Sequence, residues 1–356
     1  MTPEQVALRD SVRALLAKHS DVRAAIEEPA GYDTALWAKL CGEVGVAGLA
    51  VPEEYGGAGA GLAETHVVLA ELGRTLTPAP LLSSTLASQA LLATGNAKAC
   101  ARLLPRIAGG AVAALVWPWE AEIRDLTGTA NHVVDGDLAE VLLVVNGTSL
   151  YEVDPCQPRV TRRHTPAMDP TRRLAAVHLA DAEGARLGPW DPRVQDVAYA
   201  ALAAEQVGAA QRALELTVEH TRTRVQFGKP IGSFQALKHR MADLHVLVET
   251  ARSAAEAASD EVSAAVAKVY CSEAFQKVAA EMIQLHGGIA ITWEHDAHLY
   301  FKRAHGSAQL FGSPQQHLTR LGRLRAASAG TRGTPRGWER GRRRRGGAGR
   351  ASPSSG

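Results

Sequence analysis

Apolar residues recur at helical spacing from the start of the chain. Thr2-Pro3-Glu4-Gln5 sets a capping hydroxyl before a proline at the first helical position, with Gln5 able to reach back, so the pattern predicts a helix through Leu15 and Leu16. Helical runs follow at Trp37, Leu40 and Val44 and over 67–72, 81–92 and 99–107, parted by Pro52, Gly56-Gly57 and Pro78. They imply an N-terminal helical domain over residues 1–108. After Gly109-Gly110 the texture changes to short β-branched runs at 111–117, 132–134, 141–145, 150–153 and 174–179, with turns at Asp135-Gly136 and Asn146-Gly147. A small antiparallel β domain over 109–190 is expected. From Pro192 the helical period returns, and positions 197, 201, 204, 208, 211, 214, 218, 221 and 225 step by three and four along one helix of more than about 25 residues. A second seam runs from Leu237 through Leu244 to Ala255 and a third from Val262 through Phe275 to Leu285, with further helix over 298–311 and 316–324. Long antiparallel helices with such seams make a bundle, here over 191–325. The fold class is α+β, mostly α: helices, a small β domain, then a helix bundle.

Composition narrows the function classes. With 46% hydrophobic, 21% charged and 5% aromatic residues in 356, the chain is globular, which excludes disorder throughout and argues against an aromatic-rich recognition surface. No apolar run approaches the ~18 residues of a spanning helix, and the first ten residues are polar and acidic where a leader would be basic then apolar, so a cytoplasmic protein is expected, with no membrane partner. Cys41, Cys100, Cys156 and Cys271 are scattered, without the close pairing of metal or redox motifs, and no metal is expected. The net charge of +2 conceals an asymmetry: residues 1–320 carry −7 and residues 321–356 carry +9. From Ala326 the sequence is Gly, Ser, Pro and Arg with little to bury, so 326–356 is expected to be a disordered basic tail, and the acidic body argues against nucleic acid as a partner.

The chemistry-bearing motifs lie in the last third. Arg222-Thr223-Arg224-Val225-Gln226-Phe227-Gly228-Lys229-Pro230-Ile231 with Phe234-Gln235 resembles the Arg-x-x-Phe-Gly-x-x-Ile and Phe-Gln pattern of flavin-dependent acyl-CoA dehydrogenases, and Gln284-Leu285-His286-Gly287-Gly288 with Thr292 and Glu294 resembles their second C-terminal motif. The stretch from Gly45 to Gly57, followed by Leu72-Gly73-Arg74, is similar to the same family, as is Met168-Asp169-Pro170-Thr171-Arg172-Arg173. The resemblance covers residues 1 to about 325 and implies FAD held at a subunit interface, with Arg224 on the pyrophosphate through its planar guanidinium, and Gln235, Gln284, Gly287, Gly288 and Ser313 as further cofactor contacts. It also implies an acyl-CoA thioester substrate, α,β-desaturation with hydride transfer to the flavin, an electron-accepting flavoprotein, and a homo- or hetero-oligomer with another chain of the family.

That reaction needs a base for the α proton. In most of the family it is the Glu of a Tyr-Glu-Gly-Thr-like loop, and the count of seventeen from Glu294 lands on Phe311 in Leu310-Phe311-Gly312-Ser313. In a minority it lies on the first bundle helix, twenty-nine residues before the motif Phe, which here is Ala198. Neither side chain accepts a proton. Glu205, seven residues beyond Ala198 and ~10 Å along the same face, is the candidate base that remains. Glu294 and Asp296 read as acidic caps of the next helix, and His286 and His305 as structural partners. The family's Thr-Glu-Pro-x-x-Gly-Ser-Asp and Trp-Ile-Thr-Asn strand motifs, which hold the isoalloxazine, are absent; the region reads Leu115-Val116-Trp117-Pro118-Trp119-Glu120. These departures imply two alternatives: a dehydrogenase with an unusual base, or a catalytically incomplete subunit that lends flavin contacts to a different chain.

Overall fold

The computed structural model describes residues 1–119 and 121–330, and the elements follow in three runs. The first holds α1 (Pro3–His19), α2 (Val22–Glu27), α3 (Thr34–Lys39), α4 (Leu62–Thr75), α5 (Leu81–Ala93) and α6 (Ala97–Ala108). The expected capping box opens α1: Thr2 Oγ1 accepts from the Gln5 amide, and Gln5 Oε1 accepts from the Thr2 amide. α5 is buried on nearly every side, which its lack of a polar face demands.

The second run is β1 (Ala113–Val116), β2 (Ala121–Arg124), β3 (Thr127–Val134), β4 (Val141–Asn146), β5 (Ser149–Val153), β6 (Val160–His164), β7 (Leu174–Leu179) and β8 (Gly184–Pro189). They form two four-stranded sheets, in the orders β1-β4-β5-β8 and β2-β3-β7-β6. The sheets are antiparallel as expected apart from one pair, β1 with β4, which is parallel because the chain visits the second sheet between these two strands and returns in the same direction. The strands the apolar pattern did not flag, β2, β6 and β8, all lie at sheet edges, where polar residues such as those of Val160–His164 are tolerated.

The third run is α7 (Val194–Thr223), a small hairpin of β9 (Val225–Gln226) and β10 (Lys229–Pro230), α8 (Gln235–Glu256), α9 (Glu261–His286), α10 (Ala297–Gln309) and α11 (Pro314–Gly330). α11 continues into the span expected to be without a fold, because Arg325-Ala326-Ala327 are good helix formers; the rest of the basic tail lies outside the described residues. α7 is the central rod. It meets α4 at backbone contact: a Cβ on Gly73 would sit 2.2 Å from the Glu205 carbonyl oxygen, and one on Gly208 would sit 1.9 Å from that of Ala70, so glycine is required at both. One apolar cluster joins α1, α4 and α5 to the first sheet and the start of α7, and a second fills the bundle around Phe275, Val278 and Met282.

Candidate functional site

At its C-terminal end α7 stops where Arg224 turns extended, and Phe227 (φ +53°) with Gly228 (φ +74°) makes the tight turn between β9 and β10. The Ile231 amide donates to the Arg224 carbonyl at 2.8 Å and closes this loop onto the helix end. Gln235 is the first residue of α8, directly beyond it. The end of α9 is brought alongside by ring contacts: His220 stacks on His286 with centroids 4.2 Å apart, and His295 follows at 4.6 Å. Burial pushes His286 down to about 4, and its Nδ1–H donates to the Met282 carbonyl at 2.8 Å, so the ring is neutral. Gly287, at φ +68°, ends α9 with open space where a Cβ would stand. Arg224, Gln235, Gln284, Gly287 and Gly288 are all exposed at this end, and Arg224 makes no ion pair among the described residues. The exposed guanidinium can offset the negative ends of the two helices and, beside the open glycines, meet an anionic group such as the pyrophosphate of a dinucleotide. Around it lie exposed apolar side chains: Phe227 at 90%, Ile291 at 74% and Trp293 at 65%.

The N-terminal end of α7 is different. Phe311 (φ +61°) is buried, with its ring edge-on to Trp117 at 5.2 Å and to Trp119 at 5.9 Å, while Trp117 meets Trp190 at 6.4 Å. Its carbonyl accepts from His317 Nε2 at 3.0 Å. Ala198 is fully buried in the same apolar cluster. The cavity left beside Phe311, bounded by Ser83, Leu86, Trp117, Trp119 and Val133, is only ≈ 10 Å³, about the room of one water. Where a carboxylate and a flat ring would be needed, this chain has packed aromatics. Ser313 serves as the cap of α11: its hydroxyl accepts from the Gln316 amide and its amide donates to Gln316 Oε1.

Glu205 lies midway along α7, 5% exposed, and its Oε1 accepts from Arg303 Nη1 at 2.6 Å and from Arg172. Arg303 also pairs with Asp169 at 2.8 Å and donates to Thr171 Oγ1. Burial alone would raise the Glu205 carboxyl, but the two guanidinium charges outweigh it and hold it below the usual range. A carboxylate so clamped ties α7 to α10 and to the β7 approach, and the two positive charges that lower its pKa make it a weaker base for a substrate proton. Asp135, which the sequence presented only as a turn residue, is buried, accepts from Ser83 Oγ at 2.6 Å, and is pushed up to about 6 by burial against the pull of Ser83 and Arg172. Asp296 does not cap α10 through its side chain; it pairs with Arg23 at 2.6 Å instead, because the helix starts with Asp296 already in helical geometry.

A cavity of about 1,410 Å³ opens as a crevice between α1, α4, α7 and the α8–α9 turn, lined by His66, Ala70, Ala204 and Gly208 among others. Arg224, Gln235, Gln284, Gly287, Gly288 and Phe311 do not line it, whereas Arg74 does. Among the described residues no group of His, Cys, Asp and Glu is arranged to hold a metal, and no helix is long and apolar enough to cross a membrane.

Comparison with known proteins identifies the family and the fold. The acyl-CoA dehydrogenase N-terminal domain profile matches residues 2–111 and the C-terminal domain profile matches residues 197–324. The acyl-CoA dehydrogenase IpdE2 of Mycobacterium tuberculosis is 50% identical over 330 residues, covering 90% of this chain and 98% of that one. Among solved structures, the ChsE4–ChsE5 complex of Mycobacterium tuberculosis superposes with a TM-score of 0.84 at 26% identity, covering 92% of this chain and 98% of its match. The Tcur3481–Tcur3483 steroid ACAD superposes at 0.82 and 29% identity, covering 92% and 99%.

Proposed function

Because the chain belongs to the acyl-CoA dehydrogenase family of FAD-dependent oxidoreductases acting on CH–CH bonds, we propose that it works as the incomplete subunit of a heteromeric member, lending flavin contacts to a chain that carries the base. One observation carries this reading. The carried-over flavin contacts at Arg224 and the position of the family base at Phe311 lie at opposite ends of α7: from Tyr199, which meets His317 edge-on beside Phe311, to Arg224 is about 37 Å at 1.5 Å per residue. A flavin seated on Arg224, Gln235 and Gly287 therefore reaches its reacting partner on another chain. The exposed apolar side chains around Arg224 supply a surface for that chain, and two of the structures it resembles pair two different names in one assembly.

When bound, the flavin would supply the hydride acceptor. This chain would supply a cation for the pyrophosphate through Arg224, amide contacts through Gln235 and Gln284, and close backbone approach at Gly287-Gly288. The proton at the α carbon would go to a carboxylate of the partner, because Phe311 and Ala198 accept none. The likeness to a steroid ACAD favours a bulky, ring-bearing acyl group on the CoA thioester, and electrons would pass on to an electron-accepting flavoprotein. Four free cysteines go with a reducing, cytoplasmic setting. Co-expression with a second family chain, followed by flavin stoichiometry, tests the proposal: flavin retained only in a mixed assembly supports it, and full flavin with turnover in the pure single chain overturns it.

A further inference from the structure

Lys268 on α9 is 0% exposed and has no carboxylate partner among the described residues. Its ammonium has three N–H donors, and three oxygens surround it: Ser272 Oγ at 3.1 Å, the Ser307 carbonyl at 3.2 Å and the Ala308 carbonyl at 2.9 Å. The last two belong to the final turn of α10, whose carbonyls have no partner within the helix. Leu310 follows in an extended conformation, then Phe311 at φ +61° and Gly312 at φ +101°, a reversal that turns the phenyl ring back onto Trp117 and Trp119. The end of α10 thus fixes where the ring goes.

We propose that Lys268 is the positioning residue of the Phe311 loop, and that release of the aromatic wedge is coupled to exposure of this lysine and its uptake of a proton. The proposal stands on the geometry of the wedge and holds whether or not the chain works with a partner. Burial without a counter-ion pulls Lys268 down to about 7, against an ordinary lysine near 10.4. The opened loop would let it reach water and regain the ordinary value, so the open state holds the proton more tightly. Closure is therefore favoured as pH rises above about 7, and opening is favoured as pH falls towards it.

The groups packed around Lys268 separate by window or by position. On α11, His317 is pushed below the ordinary histidine range, so it titrates under this window, and Arg320 stays charged. On α9, burial raises Cys271 to about 12 and its thiol donates to the Ala251 carbonyl on α8, away from the loop. α7 presents Gln206, which donates to Ser272 and Ser307, and the flanking Glu205, which is held by Arg303 of α10 and by Arg172. Tyr199, also on α7, is raised further by burial.

Hydrogen exchange of residues 306–312 in the full chain, read by mass spectrometry from pH 6 to 9 and corrected for base catalysis of the intrinsic rate, tests the proposal. The opening constant should fall by about tenfold per pH unit between about 7 and 9 and be flat just below 7. In Lys268→Met, and separately in Lys268→Gln, the slope should vanish and the segment should exchange faster at every pH, while α8 keeps its protection. A flat profile in the natural sequence overturns the proposal, as does a slope that survives in either variant or protection that neither variant lowers. Should neither variant fold, the natural profile decides alone, the slope supporting the coupling and a flat line overturning it.

Discussion

Between Arg172 and Arg303, the buried Glu205 side chain has partners for its charge, so its energetic role is read from what its removal would strand. Glu205→Gln would leave Arg303 with Asp169 as its remaining carboxylate and remove the carboxylate that Arg172 pairs with, which costs about 3–5 kcal/mol by analogy with broken buried pairs. Because the folded carboxyl lies below its unfolded value, its contribution is present above the ordinary carboxylate range and is lost as pH falls through the folded value. Thermal melts between pH 3 and 7 should therefore show a steep acid limb in the natural chain and a shallower one in the variant. Asp135 has the opposite sign. Its carboxyl titrates near 6, above the unfolded value, so the stability it contributes at low pH is lost as pH climbs through about 6. Asp135→Asn keeps an acceptor for Ser83 and removes the buried charge, and it should stabilise the fold by about 1–2 kcal/mol at pH 8 while changing little at pH 4. Urea titrations at the two pH values that gave equal effects would contradict this assignment.

The elements were legible wherever one face of a repeat is buried, since the 3.6-residue period of α7, α8 and α9 is itself the record of packing. The edge strands β2, β6 and β8 left no such record, and the parallel pairing of β1 with β4 depends on where the chain travels between them, which no local pattern encodes. The motif at the end of α7 was readable because a hairpin with Phe227 and Gly228 both at positive φ constrains the sequence tightly. The aromatic wedge was not, for Trp117, Trp119 and Phe311 are far apart in the chain and meet only through the tertiary fold. The clamp on Glu205 was hidden for the same reason: its guanidiniums come from the β7 approach and from α10. At the scale of the α7 end, Arg224 is exposed and caps nothing with its side chain, so Arg224→Ala should leave helicity by circular dichroism unchanged. The variant should lower flavin content in whichever assembly carries the cofactor, and Arg224→Lys should restore it only in part, because an ammonium lacks the planar fork. Unchanged flavin absorbance in the alanine assembly would remove the best-supported of the carried-over contacts.

For the whole molecule, the flavin contacts proposed at one end of α7 and the base position proposed at the other call for a second chain. A compact monomer holding full flavin would contradict this, and light scattering with absorbance reads both at once. Turnover discriminates further. The chain alone should show little or no dehydrogenation of acyl-CoA thioesters, since loss of a placed general base removes about 100- to 10,000-fold in rate. In a mixed assembly, Glu→Gln at the partner's base position should abolish turnover and leave flavin in place. Phe311→Ala in this chain, by contrast, opens a cavity beside Trp117 and Trp119 and should cost about 3–5 kcal/mol of stability with kcat of the mixed assembly nearly unchanged, because the ring packs the interior and touches no reacting atom. A large drop in kcat from Phe311→Ala, at temperatures where the assembly stays folded, would place the wedge within the reacting site after all. In that case the base would have to be sought in this chain, where Asp135, pushed up to about 6 by burial, accepts from Ser83, a residue that borders the cavity beside Phe311.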